Sequence, residues 1–415
     1  MIRDENCGSK RKVSIEMKKK RARINNFLTH DYSNFTEYSI ADKANYYGIY
    51  NKSILERHFW IYELHSKLQY KLKNRVVLKG GACAQLYLPI SAQRCTEDLD
   101  LYTDLSPNKL RLEFSSLIKE FNINGVQSKA HEYIPRSVQL HGKTMPITTF
   151  IVKLPFIYKE NRKSGVSELK VDFLHVNINK LKVNYLEKKE MLGLKLEYKP
   201  LCISLHSIIG AKLLTFGAST IGIEKFKKDK HYKNIYDVFY LINENNNVET
   251  LIGVANYIKD NIALEFRVKA IEPIKISVIF EDMMKQLYFL AVENLRKSYM
   301  GPNIRVVIFE QNYTRQNIND DLDMDHWSIM AMYILIWIHA LKKYVASGDL
   351  SGLKIFNNII EEYNIFNNLS DKEQIKYINN IKDKLISKRE TFIFDVINEP
   401  LRLIFLYSIF YNLED

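Results

Sequence analysis

Two aspartates, Asp98 and Asp100, are the residues of this chain whose type and spacing point most directly to chemistry. They belong to the run Glu97-Asp98-Leu99-Asp100-Leu101-Tyr102, in which polar and apolar residues alternate as in a β-strand. Such a strand puts both aspartates on one face, where their charges repel each other unless a cation lies between them. Mg²⁺, or Mn²⁺ in its place, suits that position because it prefers oxygen ligands and keeps waters and substrate phosphates.

Two glycines, Gly80 and Gly81, precede this strand and could hold phosphate. They follow an apolar run, 76–78, that predicts a buried strand, and they precede a segment, 82–88, that predicts a helix closed by Pro89. A Gly-Gly turn lets the backbone approach a ligand closely, and the start of the next helix points N–H groups at an anion. A phosphate-binding turn that faces metal-binding carboxylates is typical of enzymes that catalyse phosphoryl or nucleotidyl transfer.

The residue types and spacing of these motifs resemble those of a known family. Lys79-Gly80-Gly81 followed by Arg94-x-Thr96-x-Asp98-Leu99-Asp100 is similar to the nucleotidyltransferase superfamily with the DNA polymerase beta-like fold, and in particular to its AbiEii branch of abortive-infection and toxin–antitoxin proteins. The resemblance covers roughly residues 75–242. It implies that a nucleoside triphosphate binds with magnesium, and that the following residues contact the nucleotide: Lys79, Gly80, Gly81, Arg94, Thr96 and Lys212.

A third acidic residue, Asp172, lies in the apolar run 169–174, which predicts another strand. Taken alone, it reads as an ordinary carboxylate near a strand end. By its order in the chain it matches the family's third acidic residue. In that role it would either join Asp98 and Asp100 as a metal ligand or act as the base for an attacking hydroxyl.

A later motif of the family combines a helix lysine with a basic residue and Asp-x-x-Asp. Lys212, on a helix predicted over 203–216, matches the lysine, which would stabilise charge on the leaving pyrophosphate. Lys233 matches the basic residue and Asp237 the second aspartate, whereas Asn234 stands where the first aspartate is usual. Asparagine can donate and accept hydrogen bonds but cannot act as a base. The resemblance therefore implies five catalytic residues: Asp98, Asp100, Asp172, Lys212 and Asp237.

Charge suggests an anionic partner. The 415-residue chain carries a net charge of +12, and nine basic residues against three acidic ones in residues 1–30 account for half of it. This basic leader is either a solvated terminus or an arm that contacts phosphates. A second cluster, for which we expect a loop followed by a helix from Ile235, supplies the candidate nucleic-acid contacts Lys225, Lys227, Lys228 and Lys233. A general richness in lysine would also raise the net charge.

The compartment is predicted from cysteines and apolar runs. The four cysteines contain no C-x-x-C pair, so neither a disulfide framework nor a zinc site is indicated, and a reducing cytoplasm fits. No apolar signal region stands at the N-terminus. The most apolar run, 327–341, is short for a membrane span and predicts a buried helix. We therefore expect a cytoplasmic protein that does not contact a membrane.

The fold class that these elements predict is an α/β (α+β) nucleotidyltransferase domain with a mixed sheet, followed by an all-α domain. An apolar content of 46% is ample for a packed core. The expected domains are a basic leader (1–30), the α/β domain (31–200) and the helical domain (201–415). The predicted helices span 53–73, 107–121 with Ser106 as cap, 279–295, 328–345 and 399–413; a hairpin turning at 141–143 is predicted within 137–154.

The expected activity is transfer of a nucleoside monophosphate from a nucleoside triphosphate to an acceptor hydroxyl. By resemblance, the acceptor would be an RNA such as tRNA, and the role that of a toxin or defence effector with a cognate antitoxin. Two alternatives remain open. The chain could be a non-catalytic nucleic-acid-binding protein on the same scaffold, as the basic leader and Asn234 would allow. It could also be a transferase that modifies a small molecule or a protein.

Overall fold

The computed structural model of the protein describes residues 28–123, 126–134, 145–158, 168–187, 189–298, 304–315 and 324–386. The chain divides into two compact units, Met1–Ile203 and Ser204–Asp415. A mixed sheet lies in the first unit, and the described part of the second forms helices, so the predicted fold class is confirmed. The leader up to residue 27, the predicted turn at 141–143 and the predicted helix at 399–413 lie outside the described residues.

Eleven strands are described in the first unit. In chain order they are β1 (Val76–Lys79), β2 (Asp98–Thr103), β3 (Asn122–Ile123), β4 (Val126–Gln127), β5 (Lys129–Tyr133), β6 (Ile147–Lys153), β7 (Glu168–His175), β8 (Val183–Tyr185), β9 (Glu190–Met191), β10 (Leu194–Lys195) and β11 (Leu201–Ile203). Seven of them form one sheet in the order β5-β6-β7-β2-β1-β11-β8. Strand β1 runs parallel to β11, and β2 runs parallel to β7, while the other neighbours are antiparallel.

Four α-helices are described in this unit: α1 (Glu37–Tyr47), α2 (Lys52–Leu72), α3 (Gly80–Tyr87) and α4 (Pro107–Glu120). Helix α2 agrees with the predicted helix within one residue at each end, but it is buried along most of its length. Its acidic residues are tolerated there because they accept hydrogen bonds from the backbone. Glu56, for example, accepts from the N–H groups of Ile157 (2.7 Å) and Tyr158 (2.8 Å).

The sheet faces different surroundings on its two sides. Leu99 and Leu101 of β2 are fully buried, and Phe114 of α4 stacks on Phe150 with ring centroids 4.3 Å apart. This packing covers the apolar face of the central strands, which leaves the alternate residues of β2 on the opposite face. Helix α4 begins with proline in its first turn, and Ser106 occupies the predicted N-cap position, although its side chain makes no capping hydrogen bond.

The described helices of the second unit follow Ser204. They are α5 (Leu205–Leu213), α6 (Lys228–Asn243), α7 (Val248–Lys269), α8 (Ile276–Ser298), α9 (Ile304–Tyr313), α10 (Met324–Ser347), α11 (Ser351–Asn367) and α12 (Asp371–Ile386). Helix α6 begins seven residues before the predicted Ile235. Lysine is a good helix former, and His231 and Tyr232 are fully buried, so the core-facing stripe of this helix extends back into the basic run.

Among the described residues, helix α10 is the one helix that is both long and apolar enough to cross a membrane. It extends beyond the predicted apolar run at both ends, and its portion His326–Ser347 has the length and composition of a membrane-crossing helix. In the second unit it packs against α6, α8 and α11, and 67% of its most apolar window is buried. The core helix of a globular protein can have the same length and composition as a membrane-crossing helix. The burial of α10 agrees with the predicted buried helix.

Candidate active site

The glycine motif and the acidic strand meet directly. The Cα partner of Lys79 across β1 and β2 is Asp100, so the carboxylate of Asp100 lies beside the residue that follows the strand. Gly80 has φ +68°, and a Cβ atom built on it would lie only 2.7 Å from Cβ of Asp100 and closer still to its carboxylate. A side chain there would be both strained and excluded. Gly80 therefore lets the first turn of α3 approach the acidic residue.

Gly81 approaches the link between α3 and β2. A Cβ atom on Gly81 would lie 2.9 Å from Thr96 Oγ1 and 3.6 Å from Arg94 Nη2. Four predicted nucleotide-binding residues, including the adjacent Gly80, therefore gather at the N-terminus of α3. Lys79 is directed differently, since its ammonium lies over the Tyr102 ring at 5.0 Å from the centroid.

The link is held rigid by buried polar groups that the sequence did not single out. Gln85 accepts a hydrogen bond from the Arg94 backbone N–H (2.8 Å), and the Arg94 guanidinium donates to the Cys95 carbonyl (2.8 Å). His58 Nδ1 accepts from the Thr96 N–H (3.3 Å). Burial, and secondarily the charge of Arg94, lower the pKa of His58 to about 3. A neutral imidazole at physiological pH can therefore accept this bond.

Strand β7 brings the third acidic residue alongside the first two. The parallel register pairs Asp98 with Lys170 and Asp100 with Asp172, so all four side chains point to the same face. On the far side, Thr149 of β6 pairs with Asp172, and its hydroxyl donates to Asp172 Oδ1 at 2.6 Å. The acidic face of the sheet thus consists of three carboxylates on two adjacent strands.

Lys170 lies among these carboxylates and was not predicted from the sequence as a site residue. Its ammonium forms an ion pair with Asp172 Oδ2. Partial burial lowers the pKa of Lys170, but the hydrogen bond to Asp172 and the charges of Asp172, Asp98 and Asp100 outweigh it, and the net shift is upward. The alternation Lys170-Val171-Asp172 is the sequence signal that would have found it, because residues two apart share a face.

The carboxylates provide donors for a divalent ion. Among the described residues, no three His, Cys, Asp or Glu side chains are arranged as a ready metal site, and Asp172 is engaged by Thr149 and Lys170. Magnesium is commonly held by one or two carboxylates together with waters and substrate phosphates. Asp98 and Asp100 therefore fit such an ion by their chemistry, next to a helix start that can face phosphate.

In the second unit, the later motif forms a buried ion pair. Lys212 Nζ lies 2.7 Å from Asp237 Oδ2 and 3.3 Å from Asn234 Oδ1, and the side chains of Lys212 and Asp237 are 8% and 0% exposed. Asn234 thus contacts Lys212 as a neutral acceptor. The structure thus places Lys212, Asn234 and Asp237 in contact, whereas the sequence motif gave only their order along the chain.

The basic cluster of the second unit is divided between a loop and a helix. Lys225 and Lys227 are exposed, and Lys227 forms an ion pair with Glu224 at 2.8 Å. Between them Phe226 is 72% exposed. Lys228 begins α6, and its side chain lies outside what the structure describes. Lys233 Nζ lies 3.9 Å from the Tyr313 ring centroid, so its ammonium is held over an aromatic face.

Comparisons with known proteins give a family. Residues 66–313 match the family described as nucleotidyl transferase AbiEii toxin, type IV toxin–antitoxin system. No curated protein matches the chain. Among solved structures, MenT4, a nucleotidyltransferase toxin from Mycobacterium tuberculosis H37Rv, is 13% identical with a TM-score of 0.45, covering 78% of this chain and 97% of its own. An antigenic nucleotidyltransferase-like protein from Paracoccidioides brasiliensis is 16% identical with a TM-score of 0.29, covering 55% and 97%.

Proposed function

The chain belongs to the AbiEii family of nucleotidyltransferase toxins, and from this premise we propose a magnesium-dependent transfer of a nucleoside monophosphate to an RNA hydroxyl. One observation carries the proposal. Asp100 lies against Gly80, so a phosphate bound at the start of α3 would be adjacent to the carboxylates that could hold its counter-ion. In nucleotidyl transfer the metal ion binds both the carboxylates and the phosphate oxygens, so the two groups must lie next to each other. The contact between Asp100 and Gly80 supports that arrangement.

Asp98 and Asp100 are the proposed metal ligands. A magnesium ion at these carboxylates would neutralise triphosphate charge and polarise the phosphoryl group under attack. Their strand is fixed between β1 and β7, both paired with it over at least four residues. The ligands therefore keep their positions when the charge between them changes, which preorganises the site.

The phosphates are proposed to bind at the N-terminus of α3. Backbone N–H groups there have no partner within the helix, and the absence of side chains at Gly80 and Gly81 allows close approach. Arg94 and Thr96 border Gly81 and would add a charge and a hydroxyl at the same place. Lys79 would have to leave the Tyr102 ring to contribute.

The reaction forms a bond between the acceptor oxygen and the alpha phosphorus and breaks the bond to the bridging oxygen, so pyrophosphate leaves. The acceptor's proton passes to a base, a role for which Asp172 is the proposed residue, since it faces Asp100 across the strand register. For Lys212, whose ammonium contacts Asp237 and Asn234 within the second unit, the family resemblance gives the proposed role of stabilising pyrophosphate charge.

RNA is the acceptor that the surface chemistry favours. Lys225, Phe226 and Lys227 form an exposed basic segment with a solvent-facing ring, and such a combination contacts phosphates and stacks on unpaired bases. Membership of a type IV toxin–antitoxin family supports a cognate antitoxin as a further partner. The buried free thiols of Cys83, Cys95 and Cys202 support the cytoplasm as the proposed location.

Label transfer tests the proposed activity. The purified protein is incubated with each alpha-labelled triphosphate, with and without magnesium, in total RNA, total protein and small-molecule extracts. Magnesium-dependent label in RNA, together with released pyrophosphate, is the predicted result. Label in protein or in a small molecule would select the alternative transferase. Failure to bind magnesium and nucleotide would select the non-catalytic RNA-binding protein.

A further inference from the structure

Lys170 has an unusual position for a lysine in a sheet. Its strand neighbour in register is Asp98, and the next residue on the same face, Asp172, forms an ion pair with it. The charges of Asp98 and Asp100 also act on its ammonium. A positive charge from the protein itself therefore stands among the carboxylates that would otherwise attract metal ions.

Both oxygens of Asp172 already have partners, and Oδ2 would have to leave the Lys170 ammonium before it could coordinate a metal or accept a proton. Oδ1 accepts from Thr149 at 2.6 Å, and Oδ2 is paired with Lys170. Asp98 and Asp100 are the other two carboxylates on this face, and among the described residues no group of three or more metal-ligating side chains forms. Two carboxylates are enough for one magnesium ion that keeps waters and phosphate oxygens as its other ligands, but they are too few for two such ions.

We propose that Lys170 replaces a second metal ion, so that this protein binds one divalent cation where a two-metal site would bind two. The inference rests on the proposed function, because it concerns the same carboxylates. In two-metal sites one ion stabilises the attacking oxygen and the other the leaving group. An ammonium beside Asp172 supplies a fixed charge and hydrogen-bond donors to the attacking oxygen.

Stability alone does not account for this ion pair. The Lys170 side chain is 40% exposed, and ion pairs with that exposure contribute little to the free energy of unfolding. The same sheet provides a comparison, since Lys153 pairs with Glu168 at 3.2 Å across β6 and β7 with side chains 57% and 32% exposed. Lys153 and Lys170 therefore form similar pairs, but Lys170 is the one that lies next to Asp98 in the strand register.

Manganese binding tests the inference without depending on activity. Bound and free Mn²⁺ are counted by electron paramagnetic resonance in the full chain, with Mn²⁺ alone as the probe. The wild-type protein should bind one ion. Removing the ammonium in Lys170→Met, and in Lys170→Gln as a second variant, should release Asp172 and tighten Mn²⁺ binding by about tenfold or more.

Two controls separate charge from packing. Lys170→Arg keeps the charge and should retain wild-type affinity for Mn²⁺, and Lys153→Met removes a similar ion pair and should do the same. Circular dichroism confirms that each variant is folded. Two bound ions in the wild-type chain, or unchanged affinity in both neutral Lys170 variants, would overturn the inference while leaving the metal site itself intact. Absence of Mn²⁺ binding in every variant would overturn the proposed metal site as well.

Discussion

Asp100 occupies the space beside Gly80 that a side chain at this position would need. The Cβ atom of an alanine would lie 2.7 Å from Cβ of Asp100 and 2.8 Å from its Cγ, well inside van der Waals contact. Two residues that are twenty positions apart in the chain are thus packed as one unit. The glycine is required by the aspartate as much as by the phosphate that it is proposed to hold.

Gly80→Ala should therefore abolish Mn²⁺ binding as well as nucleotide binding. The matched control is Gly348→Ala, since Gly348 has a similar φ of +74° and no atom within 4 Å of its added Cβ. The positive φ should cost each variant about 1–2 kcal/mol of unfolding free energy, and Gly80→Ala should lose more because its Cβ also clashes with Asp100. Isothermal titration with Mn²⁺ should show lost binding in Gly80→Ala alone. Equal Mn²⁺ affinity in the two variants would remove the structural coupling between the glycine and Asp100.

The buried pair in the second unit predicts a large loss of stability. Lys212→Met leaves the fully buried carboxylate of Asp237 without its ionic partner, which should cost about 3–5 kcal/mol of unfolding free energy. Replacing both, as Lys212→Met with Asp237→Leu, should cost less than the sum of the two single changes. Urea unfolding of the four proteins gives this double-mutant cycle, and additive losses would show that the pair does not act as a unit.

Stability should depend on pH through Glu310. Burial raises the pKa of Glu310 to about 7 from its ordinary value of 4.5, although the hydrogen bond from Trp327 (2.6 Å) opposes the shift. Between these two pH values the folded state binds more protons than the unfolded state, so stability falls as the pH rises. Glu310→Gln should therefore raise the unfolding free energy at pH 8 by about 1–2 kcal/mol, and by much less at pH 5. Urea unfolding at both pH values checks this, and an equal effect at both would exclude titration of Glu310.

RNA binding should depend on salt through the exposed basic segment. Replacing Lys225, Lys227 and Lys228 with glutamine should reduce the slope of log affinity against log salt by about two for single-stranded RNA. Phe226→Ala should weaken the same binding by about 1–3 kcal/mol through lost stacking. Filter binding across a salt series measures both effects.

A charge-matched control is needed for this experiment. Glutamine at Lys354, Lys372 and Lys376 changes the net charge by the same amount on exposed positions of α11 and α12. These replacements should leave the salt slope nearly unchanged. A flat salt response in the wild-type chain, or equal slopes in the two triple variants, would remove RNA as the partner of the Lys225–Lys228 segment.

Local patterns were sufficient for part of this site. The alternation through Asp98 and Asp100 predicted a strand with one acidic and one buried face, and that strand is β2. The order of the motifs identified the family. The basic run before Ile235 predicts a loop, but α6 already begins at Lys228, because the buried His231 and Tyr232 continue its core-facing stripe.

Long-range pairing explains what the sequence did not provide. Asp172 lies opposite Asp100 only because β2 and β7 pair in parallel, in one register out of several that their alternation allows. The same register brings Lys170 next to Asp98, and the pairing of β6 with β7 brings Thr149 to Asp172. A strand pattern fixes the face of a residue, but its neighbours across the sheet depend on pairing that a single sequence does not specify.

The most direct test of the central claim compares Asp98→Asn and Asp100→Asn with Asp104→Asn in the label-transfer reaction. Asp104 follows β2 and pairs with Arg75 at the exposed end of the strand, away from the motif, at 2.8 Å. Removing a carboxylate from the acidic face should abolish magnesium-dependent transfer while the fold persists, because charge repulsion there is reduced. The account predicts activity in Asp104→Asn and none in the other two variants. Wild-type transfer by folded Asp98→Asn or Asp100→Asn would contradict it.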